Sequence, residues 1–265
     1  MSSEHSRRLH EAFTKQAAAF EDQHCNHVFT HDARWLFERL ECRADDLLLD
    51  VAAGTGHAAR ELAGSVRAVV AVDVTAAMLV AGSKAAREQG IGNIVFQLGD
   101  ATQLPFLDAS FDVVVSRFAL HHMEEPRRAL AEMVRCLRPG GRIAVADMVA
   151  ADDPALASAQ NRLEQAREAS HTGMLSVAEL VSTFEGLGLT DILSETREIE
   201  RPVEPWLEHA QTDPTVAEEI RRTLKAEIDG GAPTGMRALM KEGELHFLQT
   251  WAVVSARYRV GTIVG

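Results

Sequence analysis

The chain has 265 residues, of which 46% are hydrophobic and 25% charged, and its formal net charge is −12. These proportions are typical of a globular protein and exclude a disordered chain, while the acidic balance makes nucleic acid and anionic membrane surfaces poor partners. The sequence contains no run of 18 apolar residues and no apolar signal core within residues 1–15, so it predicts neither a membrane span nor a secretory signal. The cysteines, Cys25, Cys42 and Cys136, are odd in number and far apart, which favours reduced thiols in the cytoplasm over disulfides.

The first half of the chain alternates between helical and strand patterns. Apolar residues at helical spacing predict helix within residues 5–42. Short apolar runs then predict five buried strands, at residues 47–51, 69–73, 94–97, 111–116 and 142–147. Helical patterns fill the intervals at residues 57–63, 76–89 and 126–137, the last ending before a Pro-Gly-Gly turn. This alternation predicts a parallel sheet with right-handed crossovers and helices on both faces.

After residue 147 the pattern changes to helices with two further strands. The helices are predicted at residues 152–170, 177–186 and 203–229, and the strands at residues 189–199 and 246–258. We expect a single domain over residues 1–265 with four parts: an N-terminal helical cap (1–42), a core (43–150), a cap segment after the fifth strand (151–175) and the rest of the sheet (176–265).

A glycine loop joins the first predicted strand to the helix that follows it. Gly54 and Gly56 let the backbone turn tightly and let a ligand approach the main chain. In doubly wound folds ligands bind at the carboxyl ends of the strands, where this loop lies. The segment from Gly54 to Ala59 also satisfies the G-x-G-x-x-A pattern of dinucleotide sites, and a plain tight turn is a further alternative.

Acidic residues close or follow three successive strands: Asp50, Asp73 and Asp100. A carboxylate at Asp50 would repel a pyrophosphate but would suit a cationic ligand that carries an ammonium and a sulfonium. Asp73 suits ribose hydroxyls under both cofactor interpretations. Asp100 can accept a hydrogen bond from the exocyclic amine of adenine while the N–H of Ala101 meets a ring nitrogen. The three acids together favour an adenosine-containing cation over a dinucleotide.

Histidines near the same sheet edge are candidates for acid–base chemistry. His121 and His122 follow the fourth strand, and His171 lies in the second cap segment. Imidazole titrates near neutral pH, so we predict His171 and His122 as the base or as ligands of the acceptor, with a structural role as the alternative for each. The chain has no H-E-x-x-H spacing and no Cys/His cluster, so we predict no metal.

Taken together, these motifs resemble the class I S-adenosylmethionine-dependent methyltransferases, and within them the UbiE-like group (ubiquinone/menaquinone C-methyltransferase-like, methyltransferase type 11). The stretches that carry the resemblance lie at residues 48–57, 69–78, 99–106, 110–122 and 137–147, within a similarity that extends over residues 11–200. The chain departs from the family at Ala52, where glycine is frequent in the family, and at Ala53, where cysteine or glycine is common.

The resemblance implies a Rossmann-like doubly wound sheet of seven strands, mostly parallel with the last strand antiparallel, flanked by the helical caps. It implies S-adenosyl-L-methionine as cofactor and methyl transfer to a small-molecule acceptor. We expect the cofactor to contact Phe20, Asp50, Ala52, Gly54, Gly56, Asp73, Val74, Met78, Gly99, Asp100, Ala101, Ser116, Arg117 and His121. Two alternatives stay open, a NAD-dependent oxidoreductase and a protein that binds S-adenosylmethionine without methyl transfer. We expect a cytoplasmic enzyme without nucleic-acid partners or membrane insertion, and we leave a homodimer open.

Overall fold

The computed structural model describes residues 3–16, 35 and 40–259. Within these residues eight strands form one sheet. The strands are β1 (Leu47–Val51), β2 (Ala68–Asp73), β3 (Ile94–Leu98), β4 (Phe111–Arg117), β5 (Leu137–Met148), β6 (Leu189–Pro202), β7 (Leu239–Lys241) and β8 (Glu244–Tyr258).

The strand order is β3-β2-β1-β4-β5-β8-β6, with β7 paired to β8. Neighbours among β1 to β5 are parallel, whereas β8 runs antiparallel to β5 and β6. The predicted sheet of seven strands with an antiparallel last strand is therefore confirmed, and β7 adds an eighth strand too short for a sequence pattern. The order reverses between β1 and β4, the kind of position at which doubly wound folds bind ligands.

Helices flank the sheet. They are α1 (Ser3–Gln16), α2 (His57–Leu62), α3 (Ala76–Glu88), α4 (Pro126–Cys136), α5 (Pro154–Arg167), α6 (Val177–Gly186), α7 (Val203–His209) and α8 (Pro214–Ile228). Helices α5, α6 and α8 have side-chain caps at their starts. Ser176 and Glu179 form a reciprocal capping box at the start of α6. The Asp153 carboxylate accepts from the backbone of the first turn of α5, an interaction worth about 1 kcal/mol.

Two details of the predicted elements are wrong. The single helix expected over residues 203–229 is two helices, because Asp213 caps a new helix and Pro214 occupies its first position. A proline there is tolerated only at a helix start, since it lacks the N–H that an interior position must donate. The Pro-Gly-Gly turn lies inside β5, which begins at Leu137, and the pairing of β4 with β5 shifts register between Phe111 and Val113.

Apolar residues on both faces of the sheet form the core. Leu48 and Val113 point into a cluster on one face, whereas their neighbours Leu49 and Val114 point into a cluster on the other. All four are fully buried, as expected for central parallel strands covered by helices on both sides. This packing holds the carboxyl ends of the central strands at a common edge of the sheet.

None of the helices in the described part of the chain combines the length and apolar character that a membrane span requires. Helices α1 and α5 lie within the two segments expected to form caps, and the division of the chain into caps and core stays a prediction.

Candidate active site

A cavity lies at the carboxyl ends of the central strands, where the strand order reverses. Many residues predicted from the sequence line it: Asp50, Ala52, Gly54, Asp73, Val74, Met78, Gly99, Asp100, Ala101, Arg117, His121 and His122. Gly56, Ser116 and His171 are described but are not part of its wall. Phe20 lies outside the described residues.

The glycine loop adopts the left-handed backbone conformation at three positions. φ is +54° at Ala52, +57° at Gly54 and +75° at Gly56. Glycine adopts this conformation without cost, whereas alanine pays about 1–2 kcal/mol. The departure from the family pattern at Ala52 therefore places a residue with a Cβ where the backbone favours glycine.

Two hydrogen bonds hold this loop, which joins β1 to α2, against the carboxyl ends of β1 and β2. The N–H of Gly54 donates to Asp73 Oδ2 at 2.8 Å, and the N–H of Ala59 donates to Asp50 Oδ2 at 3.0 Å. The same acids that line the cavity therefore also hold the loop in its turn.

Close packing explains two glycines near the loop. A Cβ on Gly56 would lie 2.9 Å from Phe96 Cε1, so Gly56 lets the loop pack against β3 rather than contribute to the cavity wall. A Cβ on Gly82 in α3 would lie 2.3 Å from the carbonyl oxygen of Thr55. The sequence analysis missed Gly82, although a glycine inside a helical pattern is a recognised signal of close approach.

Asp50 is a buried acid with an unused oxygen. Asp50 is only 1% exposed, and its Oδ1 has no hydrogen-bond partner among the described residues. Burial raises the pKa of Asp50 to about 7, although the nearby charge of Arg117 opposes the shift. A cationic group that donates a hydrogen bond to Oδ1 would give this oxygen a partner. The site therefore fits an ammonium group.

Asp73 and Asp100 are held by local backbone groups. Asp73 Oδ1 accepts from the N–H of Thr75 at 2.8 Å, and burial raises the pKa of Asp73 although these backbone bonds oppose the shift. Asp100 Oδ1 accepts from both the N–H and the hydroxyl of Thr102, each at 2.8 Å. The two carboxylates are thus fixed in orientation at the cavity wall.

Three histidines cluster at the other side of the cavity. The ring centroids of His121 and His122 are 4.1 Å apart, and that of His171 lies 5.4 Å from His121. His121 Nδ1 donates to Asp147 Oδ1 at 2.5 Å, with both residues 3% exposed. Burial lowers the pKa of His121, but the carboxylates of Asp147, Glu168 and Glu164 together outweigh burial, so the pKa is raised. The Asp147 carboxylate therefore favours the protonated form of His121.

His122 lines the cavity as a neutral imidazole. Its Nδ1 donates to the carbonyl oxygen of Ser170 at 3.2 Å, which leaves the lone pair of the neutral ring on Nε2. Burial and the charge of His121 lower the pKa of His122 to about 4. Phe13 of α1 packs edge-on against the ring at 4.9 Å, and His5 donates to the His122 carbonyl oxygen.

His171 lies behind this wall. Its Nε2 donates to Asn161 Oδ1 at 3.1 Å, and its buried Nδ1 has no partner among the described residues. Burial lowers the pKa of His171 to about 2, and repulsion from a protonated His121 adds to the shift. Its position therefore favours support of His121 and His122 over direct contact with a ligand.

Several residues that line the cavity were missed by the sequence analysis. They come from α1, the start of the loop after β4, the end of β5, α5 with the residue after it, β6 and α7: Leu9, Phe13, Phe118, Met148, Arg167, Glu168, Arg201 and His209. Nothing in their local sequence marks them, because they meet only through tertiary packing. In the part of the chain that the structure describes, no group of three or more His, Cys, Asp or Glu side chains is arranged to hold a metal ion.

Comparisons with known proteins identify the family. A family model described as a methyltransferase domain matches residues 49–145. The uncharacterized methyltransferase YcgJ of Bacillus subtilis is 32% identical over 236 residues, which are 88% of this chain and 91% of that protein. The crystal structure of YcgJ has a TM-score of 0.80 at 27% identity and covers 87% of this chain and 99% of its own.

Of two further proteins, one is similar to part of the chain in sequence and the other shares its fold. A demethylmenaquinone methyltransferase of Clavibacter sepedonicus is 44% identical over 104 residues, 39% of this chain and 42% of that protein. The phosphoethanolamine N-methyltransferase 2 of Haemonchus contortus, solved in complex with S-adenosyl-L-methionine, shares the fold with a TM-score of 0.58 at 15% identity, over 94% of this chain and 60% of its own.

These matches do not favour the oxidoreductase or the binding protein without methyl transfer. They extend over nearly the whole length of YcgJ and include the glycine loop and the strand ends that line the cavity. The chain therefore belongs to the class I S-adenosylmethionine-dependent methyltransferases, in their UbiE-like group.

Proposed function

We propose that this enzyme transfers the methyl group of S-adenosylmethionine to a small organic acceptor bound in the cavity. The observation that carries the proposal is that one cavity joins an acid-lined end, at Asp50, Asp73 and Asp100, to a neutral buried histidine, His122. The acidic end suits a cationic nucleoside, and the histidine suits a proton that must leave an acceptor. Leu9 and Phe13 of α1 also line the cavity, which favours an acceptor small enough to enter.

The residues at the acidic end fit S-adenosylmethionine. Asp50 Oδ1 would accept from the ammonium of the methionine moiety, and Gly54 would allow that moiety to approach the backbone. Asp73 would bind the ribose hydroxyls, because a carboxylate accepts two such bonds. Arg117 and His121 would face the methionine carboxylate, because both line the cavity and the pKa of His121 is raised.

The adenine would lie beyond Asp73. Asp100 would accept from its exocyclic amine, and the N–H of Ala101 would meet a ring nitrogen. Val74 and Met78 would pack against the two faces of the ring, since both line the cavity beside Asp73.

When bound, S-adenosylmethionine supplies a methyl group on a positively charged sulfur that is open to in-line displacement. The contribution of the chain is to align the acceptor with that methyl group and to exclude water. Positioning of this kind can supply about 7–11 kcal/mol of the barrier. Leu9 and Phe13 on α1 form part of the apolar cover over the cavity, which supports the exclusion of water.

His122 is the candidate base for an acceptor that must lose a proton. The bond from Nδ1 to Ser170 fixes the tautomer, so that Nε2 is the atom that accepts the proton. A pKa of about 4 keeps the ring neutral at pH 7 and makes it a weak base. An enol or a phenol loses its proton more readily than an aliphatic alcohol, so these acceptors demand the least of such a base.

The test is a transfer assay with isotopically methyl-labelled S-adenosylmethionine and a panel of phenols and enolisable dicarbonyl compounds. We expect S-adenosylhomocysteine and a labelled small-molecule product to form together. In His122→Gln, kcat should fall by about 10²–10⁴ while the affinity for S-adenosylhomocysteine is kept. The control is His10→Gln on the exposed face of α1, which should retain activity. Label that reaches no small molecule, or an unchanged kcat in His122→Gln, would contradict the proposal.

A further inference from the structure

Glu168 lines the same cavity as His122 but has no part in the chemistry described so far. It directly follows α5 and is 8% exposed. It also begins a tight turn, in which the N–H of His171 donates to the Glu168 carbonyl oxygen at 3.0 Å. A buried carboxylate is costly unless its oxygens have partners, so its contacts indicate what it is held for.

Both oxygens of the Glu168 carboxylate accept hydrogen bonds within the protein. Oε2 accepts from Arg167 Nη2 at 2.6 Å, and Oε1 accepts from the hydroxyl of Ser170 at 2.9 Å. Arg167 is held in turn by Glu164, whose Oε2 lies 3.0 Å from the Arg167 Nε. Burial raises the pKa of Glu168, whereas the charge of Arg167 and the bond from Ser170 lower it, and the net shift is downward. Glu168 is therefore a fixed, ionised carboxylate rather than an open ligand site.

Ser170 connects this carboxylate to the candidate base. Its hydroxyl donates to Glu168 while its carbonyl oxygen accepts from His122 Nδ1 at 3.2 Å, and Ser170 is fully buried. Nδ1 carries a proton in this neutral form of the ring and also in the protonated form, so the bond persists when Nε2 takes up a proton. Ser170 thus keeps the ring in one orientation throughout a proton transfer.

Thr172 bonds the same segment to the turn that carries His122. Its N–H lies 2.8 Å and its hydroxyl 2.9 Å from the carbonyl oxygen of His121, and the hydroxyl also lies 2.8 Å from that of Met123. These bonds lie on both sides of His122 in the chain. The backbone therefore fixes where Glu168 lies relative to the ring.

The titratable side chains that face His122 come from α1, from its own turn, from β5 and from the segment after α5: His5, His121, Asp147, Glu168 and His171. Of these, Asp147 and Glu168 are acids, and Asp147 already accepts from His121 Nδ1. Burial and repulsion from His121 lower the pKa of His122, and the charge of Glu168 is the largest influence in the opposite direction. Glu168 is thus the acid that most favours a positive charge on this ring.

We propose that Glu168 is a positioning residue for the candidate base: it holds His122 in place through Ser170 and stabilises the positive charge that the ring gains when it accepts a proton. The inference rests on the proposed function, because it needs His122 to deprotonate the acceptor. In that step the O–H bond of an enol or phenol breaks, its electron pair stays on the acceptor oxygen and its proton binds Nε2. An anion fixed near the ring stabilises the charge that forms there without touching the acceptor.

The first test measures protonation of His122 in the protein alone, by NMR with nitrogen-15-labelled histidine. The Nε2 resonance, assigned by its absence from His122→Gln, should move between pH 7 and pH 5 as the ring begins to protonate. In Glu168→Gln the movement should be about tenfold smaller, since loss of a nearby opposite charge shifts a pKa by about 1 or more. Equal movement in the two proteins would overturn the inference.

Two matched variants separate charge from structure. Glu168→Asp keeps the charge and should retain most of the movement. Glu185→Gln, at an exposed position on α6, should retain all of it. A loss in Glu168→Asp as large as that in Glu168→Gln would contradict a role for the charge.

S-adenosylhomocysteine binding reports whether each variant folds. If Glu168→Gln does not bind it, the double variant Arg167→Gln/Glu168→Gln replaces it, because removal of a whole buried ion pair is tolerated better than removal of one partner. The same reduction of about tenfold is expected in the double variant. Movement as large as in the wild type would overturn the inference there too.

Transfer assays distinguish this inference from the proposed function. At pH 8 phenol keeps its proton whereas 4-nitrophenol is largely ionised, so of the two only phenol needs a base. In Glu168→Gln, kcat should fall about three- to tenfold with phenol and stay within a factor of about two with 4-nitrophenol. Wild-type enzyme that methylates no phenol or enolisable dicarbonyl compound would contradict the proposed function, whereas equal effects on the two phenols would contradict only the role of Glu168.

Discussion

At Asp50, burial and the charge of Arg117 shift the pKa of the carboxyl group in opposite directions. Burial raises its pKa to about 7, and Arg117 limits the rise. An ammonium that binds Oδ1 needs the ionised form, and raising the pH through 7 increases the ionised fraction. The affinity for a ligand with an ammonium group should therefore increase as the pH rises through 7.

The affinity for S-adenosylhomocysteine should consequently fall about tenfold between pH 8 and pH 6, the change expected for one group with a pKa of about 7 that must be ionised. In Asp50→Asn the affinity should be lower at pH 8 and nearly independent of pH. Asp45→Asn, at an exposed acid, should reproduce the wild-type profile. Calorimetry at the two pH values measures this, and a flat wild-type profile would contradict the role of Asp50.

Ala52 offers a test of backbone strain. Ala52→Gly should raise the free energy of unfolding by about 0.5–1 kcal/mol, since relief of the left-handed strain exceeds the entropy that glycine adds to the unfolded chain. Ala53→Gly is the matched control, because φ at Ala53 is not positive, and it should destabilise by a similar amount. Urea unfolding of the two variants compares them, and equal effects would show that φ at Ala52 is not strained.

Single residues were predictable where their position in a pattern had a physical reason. The acids at the strand ends and the glycines of the loop follow from the topology of a parallel sheet. His171 was placed by its residue type alone, and the structure puts it behind the cavity wall. Its distance from the cavity depends on how the segment after α5 packs against His121, which local sequence does not encode.

At the scale of elements, the contact between α3 and the glycine loop fixes the shape of the acid-lined end of the cavity. Gly82 permits this contact, because a Cβ there would meet the carbonyl oxygen of Thr55 at 2.3 Å. A backbone oxygen cannot rotate away, so the loop itself would have to move.

Gly82→Ala should therefore destabilise the protein by about 1–3 kcal/mol and weaken S-adenosylhomocysteine binding, even though alanine favours helix. Gly92→Ala provides the comparison, since a Cβ there meets no atom within 4 Å and φ is not in the left-handed region. Thermal unfolding and calorimetry together would show this. A Gly82→Ala protein as stable and as tightly binding as Gly92→Ala would argue against close packing of α3 on the loop.

Elements were predicted best where the chain alternates strictly. The strands of the sheet were recognised from their apolar runs, and capping residues mark the starts of α5 and α6. The break between α7 and α8 was also present in the sequence, as Asp213 followed by Pro214, but the charged helical pattern on both sides obscured it. Strand β7 has three residues and forms only because β8 pairs with it, so no local pattern could reveal it.

At the scale of the whole molecule, a ligand that binds only the folded state stabilises all of it. At 100 times its dissociation constant, S-adenosylhomocysteine should contribute about 2.7 kcal/mol, which corresponds to a rise in Tm of about 5–10 °C for a chain of this size. NAD should give no rise, because a pyrophosphate would meet Asp50. A melting scan with each ligand decides between them, and stabilisation by NAD alone would restore the oxidoreductase alternative.

The far end of the cavity shows what sequence patterns leave out at this scale. Arg167, Arg201 and His209 come from three elements and meet only because β6 pairs with β8 beside α5 and α7. The family could be recognised from the acid-lined end of the cavity, where motifs are local. The other end depends on contacts between distant segments, which local motifs do not reveal.

The most direct test of this account is a crystal structure of the protein with S-adenosylhomocysteine. We predict the amino group within hydrogen-bond distance of Asp50 Oδ1, the ribose hydroxyls on Asp73 and the adenine amine on Asp100. An adenosine bound away from these three carboxylates, or a ligand amino group that leaves Asp50 Oδ1 unbonded, would contradict it.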